Sequence, residues 1–405
     1  MSDLRPHLLF LAHRIPYPPD KGDKIRSYRW LRALSDHFQV HLGAFIDDPA
    51  DWVHVETLAQ RCASTLFLPL PRQRSTLRSL TGFFTGEPLS FPYYRDARMR
   101  RWAEQCLGRY EIGHVFVYSS AMAQYVAAPR SGSARRVIDF VDVDSDKWRQ
   151  YAQSKGWPLR WIYRREAERL ACAERDIASE FAVSVFVSIE EASHFERQWP
   201  VLSRRLAHVS NGVDTKYFDP GLVSATPFPP GRAAIVFTGA MDYWANVDAV
   251  LWFATEIWPR IRSERPDAML VVVGSNPSAE ILGLAADGVV VTGRVPDVRP
   301  YLKHAAVVIA PLRMARGIQN KVLEGMAMAR PVAVTSKGLE GIDATPGRDL
   351  LVADAADAFS SLVLAALAGG FSDCGVNARR LVLERYDWNV ACESLVHLVR
   401  GDPVP

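Results

Sequence analysis

Two doubly wound α/β domains are the fold class that this 405-residue sequence predicts, and three observations carry it. Short runs rich in Val, Ile, Phe and Leu alternate with stretches of helical period along almost the whole chain, the pattern of parallel strands covered by helices on both faces. The alternation occurs twice, on either side of Ser210–Arg232, a stretch dense in Pro, Gly and Asp that includes Pro220, Pro227, Pro229 and Pro230. Such a composition reads as an extended connection. The length suits two domains of ordinary size. The expected division is 1–209, a linker over 210–232, a second domain over 233–385, and a closing helix and tail over 386–405.

In the first half, His7–Ala12 (HLLFLA) is the first strand, followed by the Pro-rich loop RIPYPPDKGD. Lys24–Asp36 then places Ile25, Tyr28, Leu31 and Leu34 at helical spacing. Val40–Ile46, Thr65–Leu68, His114–Tyr118, Arg136–Phe140 and Val183–Ser188 are the later strands, and Leu159–Ser179 is the clearest helix. The second half is cleaner. Its strands are Ala234–Thr238, Met269–Val273, Val289–Thr292, Val307–Ala310, Val332–Thr335 and Leu350–Val352, with helices near 246–262, 278–285, 318–328 and 354–368. Ligands of doubly wound sheets bind at the carboxyl ends of the strands, so a cleft between two such domains is the expected site.

Composition excludes several classes. Apolar residues make up 48% and charged residues 23%, the balance of a protein with a substantial core rather than a disordered or collagen-like chain. The five cysteines are scattered without CxxC spacing, and the ten histidines form no HxxxH or HxH pair, so neither a disulfide framework nor a zinc site is indicated. The apolar run before His13 and Arg14 is six residues, too short for a secretory signal, and no run of about 18 apolar residues occurs; the expected compartment is the cytoplasm. Residues 1–210 hold 30 Lys+Arg against 24 Asp+Glu, whereas 211–405 hold 18 against 21. That asymmetry fits domains with different partners but is too mild for nucleic acid.

The richest segment is Pro311–Thr335, PLRMARGIQNKVLEGMAMARPVAVT. A strand ends at Pro311, a loop carries Arg313, Arg316 and Gly317, and a helix opens near Gln319 with Lys321 and Glu324 in its first turns. Backbone N–H groups at a helix start, with Gly allowing close approach, form an anion cradle. Lys321 adds a full positive charge, and Glu324, farther along, is placed to accept hydrogen bonds from a ribose diol. The alternative for this segment is an ordinary capped helix.

This segment resembles the donor-binding signature of the family 4 glycosyltransferases, whose fold is called GT-B. Further matches follow in order. Asn211-Gly212-Val213-Asp214 with Tyr217-Phe218 is similar to the family's opening of its C-terminal domain, and Phe237-Thr238-Gly239-Ala240-Met241 to its Gly loop. Asn246-Val247-Asp248, Val272-Val273-Gly274, Thr292-Gly293-Arg294-Val295 and Tyr386-Asp387-Trp388 complete the series. The RIPYPPDKGDKIRSY and RGIQNKVLEGMAMARPV stretches resemble, more closely, bacterial sugar transferases associated with exosortase-linked exopolysaccharide clusters. The resemblance implies a GT-B fold whose final helix, roughly Val390–Val399, crosses back to the N-terminal domain. It implies transfer of a sugar from a UDP- or GDP-sugar, normally with retention and without a metal cofactor, to a glycan or lipid-linked acceptor. It places Gly239, Asn246, Gly274, Arg294, Val295, Arg313, Arg316, Gly317, Ile318, Lys321, Val322 and Glu324 at the donor. In one respect the chain departs from the pattern: the family usually carries a Glu eight positions before Glu324, where this chain has Arg316. With no Arg or Lys in the loop after Gly239, the diphosphate is expected to fall to Arg313, Arg316 and Lys321.

The N-terminal half is then expected to hold the acceptor through Asp20, Lys21, Gly22, Lys24 and Arg26, the bland alternative being a solvated, capped turn. Ile138–Trp148 (IDFVDVDSDKW) offers Asp142, expected as a catalytic group with Lys321 and Arg313, and Asp144 for the acceptor. A DxD reading as a metal site sits in the wrong half for a donor. Ser119 and Ser120 lack a GxSxG elbow, and Gly274-Ser275-Asn276 is not a dinucleotide GxGxxG. Pro71–Phe84 interleaves Arg72, Arg74 and Arg78 with Leu77, Leu80, Phe83 and Phe84, and suits either an anionic membrane on the inner face of the cytoplasmic membrane or an amphipathic helix packed on its own sheet. Two other functions stay open: a nucleotide-sugar epimerase, which needs no second substrate, and a degenerate member that binds sugar nucleotides without turnover.

Overall fold

The computed structural model describes residues 5–19, 22–126, 132–153, 155–223, 225–286, 288–315 and 317–402. The chain divides into two compact units, Met1–Val209 with Cys392–Pro405, and Ser210–Ala391.

The first unit is built on a parallel sheet of seven strands: β1 (His7–Ala12), β2 (Gln39–Ile46), β3 (Ser64–Pro69), β4 (Ile112–Tyr118), β5 (Arg135–Val141), β6 (Val183–Phe186) and β7 (Leu206–His208), in the order β3-β2-β1-β4-β5-β6-β7. The second unit holds a parallel sheet of six: β8 (Ala233–Thr238), β9 (Ala268–Val273), β10 (Val289–Gly293), β11 (Val307–Ala310), β12 (Val332–Val334) and β13 (Leu351–Val352), ordered β10-β9-β8-β11-β12-β13. Each order reverses once, between β1 and β4 and between β8 and β11. At such a switch point neighbouring loops leave in opposite directions and open a crevice at the strands' carboxyl ends.

Period-two alternation explains why these runs are strands. In β8, Ala234 and Val236 pack into one core cluster while Ile235 and Phe237 pack into the other. β9 divides likewise, Met269, Val271 and Val273 against Ala268, Leu270 and Val272. Successive Cβ atoms point to opposite faces, so a strand that is apolar throughout needs helices on both sides.

Three elements differ from the sequence expectation. β7 is only three residues long and escaped the pattern. Helix Ser372–Arg385 is not expected from the pattern, because its buried residues Cys374, Gly375 and Ala378 are small and Arg379 and Arg380 part them from Leu381 and Val382. Its Gly375 lies so close to the Ala329 carbonyl that a Cβ would stand 2.4 Å from that oxygen. The helix expected over 246–262 is instead Trp244–Trp252, a widened π turn over Phe253–Ile257, and Trp258–Glu264 with Pro259 in its first turn, consistent with the missing proline N–H.

Two motifs about 170 residues apart in sequence meet in the second unit. Val213 N donates to Tyr386 O at 2.7 Å and Trp388 N to Val213 O at 3.3 Å. Thr215 Oγ1 donates to the buried Asp387, which also caps the last helix by accepting from Asn389 N at 2.7 Å. Any side chain at Gly212 would strike the Trp388 backbone, its Cβ 2.8 Å from the nitrogen. That last helix, Trp388–Arg400, ends in the first unit. There Leu395 and Val399 are fully buried, and Arg135 Nε donates to Leu398 O at 3.2 Å. No single described helix is long and apolar enough to cross a membrane.

Candidate donor site

The loops after β8, β9 and β10 are stitched by backbone bonds. Gly239 N donates to Val273 O at 3.0 Å, Gly274 N to Gly293 O at 3.2 Å, and Met241 N to Ser275 O at 2.8 Å. This stitching explains Gly274, where a Cβ would lie 1.7 Å from Gly239 O. Asn246, in the first turn of helix Trp244–Trp252, is buried and donates through Nδ2 to Ala240 O at 2.8 Å. Its Oδ1 accepts from Lys321 Nζ.

Lys321 reaches this point from across the switch. It sits in the first turn of helix Asn320–Ala327, which follows β11. Its Nζ lies 4.5 Å from the centroid of the Phe237 ring, and a Cβ on Gly239 would come within 3.0 Å of it. Absence of a side chain at Gly239 therefore makes room for both Asn246 and Lys321. Burial lowers the Lys321 ammonium to about 8, partly offset by Glu324 one turn on. The same burial raises the Glu324 carboxyl to about 7, with Lys321 pulling the other way. Among the described residues the Glu324 side chain makes no hydrogen bond, so its acceptor capacity is unused.

The approach to this helix is shaped for close backbone contact. Gly317 has φ +66°, Gln319 Nε2 donates to Gly317 O at 3.0 Å, and Gln319 supplies no side-chain cap to the helix. The first amides of a helix have no partner within it; here Val322 N turns back to Gln319 O at 2.9 Å, and the Gln319 side chain caps neither Asn320 N nor Lys321 N. Asn320 Oδ1 is buried without a partner among the described residues. Ile318 and Val322 face the core and fix the helix on the sheet. Arg294 is exposed beyond β10, and Val295 packs against the core cluster.

The expectation for Arg313 is corrected by the geometry. Its guanidinium forms a two-pronged pair with Asp248, at 3.0 Å through Nε, and stacks 5.7 Å from the Trp252 ring centroid. In this arrangement Asp248 pairs with it, and among the described residues Lys321 is the cation beside Gly239. Arg316, Asp20 and Lys21 lie outside the described residues.

Two acceptor expectations in the first unit are also overturned. Lys24 is buried and donates to Asp51 at 2.6 Å. Arg26 is buried against Asp139, at 2.7 Å through Nε, with Trp30 Nε1 donating to the same carboxylate at 2.7 Å. Both charges face inward, because helix Gly22–His37 turns that side onto the sheet. Gly22 begins the helix with open space around its Cα. Asp142 and Asp144 share Lys147, at 2.6 and 3.2 Å, which raises the lysine well above its usual range against the cost of burial.

The carboxyl end of β1 holds a cluster that the sequence reading did not assemble. Arg14 bridges Asp23 at 2.5 Å and Asp47 at 3.0 Å. His13 lies 3.7 Å from Asp23 and stacks on Tyr118. Burial opposes ionisation of Asp23, but His13 and Arg14 more than offset it and hold the carboxyl well below the usual range. The available signal was position: His13 and Asp47 each directly follow a parallel strand.

Comparison with known proteins bears on the fold and on the second unit. Residues 232–368 match the family described as "Glycosyl transferases group 1". An uncharacterised 44.6 kDa protein in the cps region of Klebsiella pneumoniae is 23% identical over 164 residues, which cover 38% of this chain and 42% of the relative. The match thus spans well under half of that protein's length. Sucrose-phosphate synthase from Thermosynechococcus elongatus superposes with a TM-score of 0.68 at 15% identity, covering 98% of this chain and 99% of that one. WaaG, a glycosyltransferase involved in lipopolysaccharide biosynthesis, gives 0.67 at 15%, covering 97% and 100%. HepE of Anabaena, in complex with UDP and glucose, gives 0.65 at 11%, covering 98% and 100%. Residues 232–368 thus match a glycosyl transferases group 1 domain, and the full-length likenesses give the whole chain a GT-B fold.

Proposed function

We propose that this chain transfers a sugar from a nucleoside-diphosphate donor to a hydroxyl of a glycan or lipid-linked acceptor, in the assembly of a bacterial exopolysaccharide or surface glycan. One observation carries the reading: Lys321 Nζ, held by Asn246 over Gly239, stands beside a helix start that Gln319 does not cap at the sheet's switch point, with the Glu324 carboxyl, which makes no hydrogen bond among the described residues, one turn away. A pyrophosphate fits the cation and the amides, and a ribose diol fits the carboxylate. HepE's complex with UDP-glucose supports a nucleotide sugar as the ligand class, and the cps-region relative supports a surface polysaccharide as product.

The chemistry follows from where charge grows. As the glycosidic C–O bond to the diphosphate breaks, negative charge builds on the β-phosphate, and donors already in place stabilise it without reorganising. Lys321 and the first amides of helix Asn320–Ala327 would do so here. In a retaining course, the departing phosphate takes the acceptor proton. Asp142 and Asp144, joined through Lys147, are the carboxylates we assign to the acceptor hydroxyls.

The test is incubation with radiolabelled UDP- and GDP-sugars, with and without a lipid and oligosaccharide extract. The expected result is label in a larger product only when extract is present. Donor consumption without extract would indicate an epimerase. Tight nucleotide binding with no labelled product in any extract would indicate a binding protein.

A further inference from the structure

The segment at 71–84 forms helices Arg72–Ser79 and Gly82–Thr85. Only part of it packs inward: Ser75 and Gly82 are buried, while Leu77, Leu80 and Phe84 recur at three- and four-residue spacing and stand exposed, Phe84 by 92%. The fold brings a second segment beside it. Phe83 stacks on Trp161 at 5.9 Å with 7° between the rings, and Arg165 lies 4.9 Å from the Phe83 centroid while donating to Gly82 O at 2.5 Å. Around Trp161 stand exposed Leu159 and Trp157, the latter by 88%.

Charge sets this face apart from the rest of the chain. From residue 57 to 86 there are four Arg, and from 147 to 165 six Lys or Arg, with no Asp or Glu in either stretch, against 48 basic and 45 acidic residues overall. At its margins, Glu87 is paired with Arg95 and Glu168 with Arg164. Lys147, Arg149 and Arg164 are paired with Asp142, Asp146 and Glu168, while Arg72, Arg74, Lys155 and Arg160 stand exposed beside the apolar tips. Large apolar tips beside such cations suit a surface that is anionic at its face and apolar just beneath. A second copy of the same face would instead oppose like charges.

We propose that this face, carried by residues 72–84 and 155–161, docks the first unit on an anionic lipid bilayer. The apolar tips enter the headgroup boundary while Arg74 and Lys155, both exposed, meet lipid phosphates. The inference does not depend on the donor chemistry of the second unit.

Vesicle flotation of the full chain tests it, using phosphatidylcholine with and without phosphatidylglycerol, at low and high salt. The expected result is binding to the anionic vesicles that is lost at high salt. R74E/K155E should weaken it by about tenfold or more at low salt, and F84S/W157S should weaken it at low salt as well, both with unchanged thermal midpoints. Absence of binding, or equal binding by both variants and the parent, overturns the proposal. So does a concentration-dependent dimer in sedimentation velocity that F84S/W157S abolishes, which would give the face to a second copy.

Discussion

Lys321 and Glu324 show how much of a site one helix turn can specify. Each is perturbed by the same enclosure, in opposite directions, and each perturbation has a measurable sign. Because Lys321 titrates near 8 rather than 10.5, affinity for a nucleoside diphosphate should fall as pH rises past about 8, where an ordinary lysine keeps its charge. Calorimetric titration across pH 7–9 checks this. For Glu324 the folded value lies near 7 against an ordinary 4.5. The folded state therefore binds more protons than the unfolded one across that interval, and the resulting stability is present at low pH and lost as pH climbs through 7. Glu324→Gln, which keeps the shape without the charge, should raise the thermal midpoint relative to the parent by an amount that grows from pH 5 to pH 8. A constant difference would contradict the assignment. In the first unit, Glu174 accepts from Ser145 Oγ at 2.6 Å and Ser145 N at 3.2 Å. Glu174→Ala leaves both donors buried, so it should cost about 1–3 kcal/mol in denaturant titration.

At the level of elements, the two glycines of the stitched loops should respond differently to the same added methyl. In Gly274→Ala the new carbon meets a backbone carbonyl that cannot yield, and stability should fall by about 3 kcal/mol or more. In Gly239→Ala it meets the ends of the Asn246 and Lys321 side chains, and the φ of +154° strains any L residue there. Nucleotide affinity should then drop together with the thermal midpoint, whereas Gly274→Ala does not touch Lys321. The second sheet was legible because strands buried on both faces read as unbroken apolar runs, and because Gly239 and Gly274 mark strand ends where backbone must come close. β7 and helix Ser372–Arg385 were not, since three residues carry no period and the helix's apolar face is interrupted by charge. Partners distant in sequence were equally hidden. Nothing in the local sequence shows that Asp248 captures Arg313, that Asp51 captures Lys24, or that Asp139 captures Arg26.

For the whole molecule, the fold and half of the donor corner were readable because they are local in sequence, whereas the His13–Arg14–Asp23–Asp47 cluster depends on which strands become neighbours. The last helix gives a test of architecture. Leu395 lies in the C-terminal sequence but is buried in the first unit. Leu395→Ala should cost about 2–5 kcal/mol and raise hydrogen exchange in β1 and β4 rather than in β8 and β11. The central claim remains that the corner joining Gly239, Asn246, Lys321 and Glu324 grips a nucleoside diphosphate. Its most direct measurement is calorimetric titration of UDP and GDP into the parent and Lys321→Ala. The account predicts saturable binding of at least one nucleotide, weakened in the variant by about tenfold to over a hundredfold, the effect of losing one charge-assisted contact of about 1.5–3 kcal/mol. Equal affinity in both proteins, or no binding of either nucleotide to the parent, would contradict it.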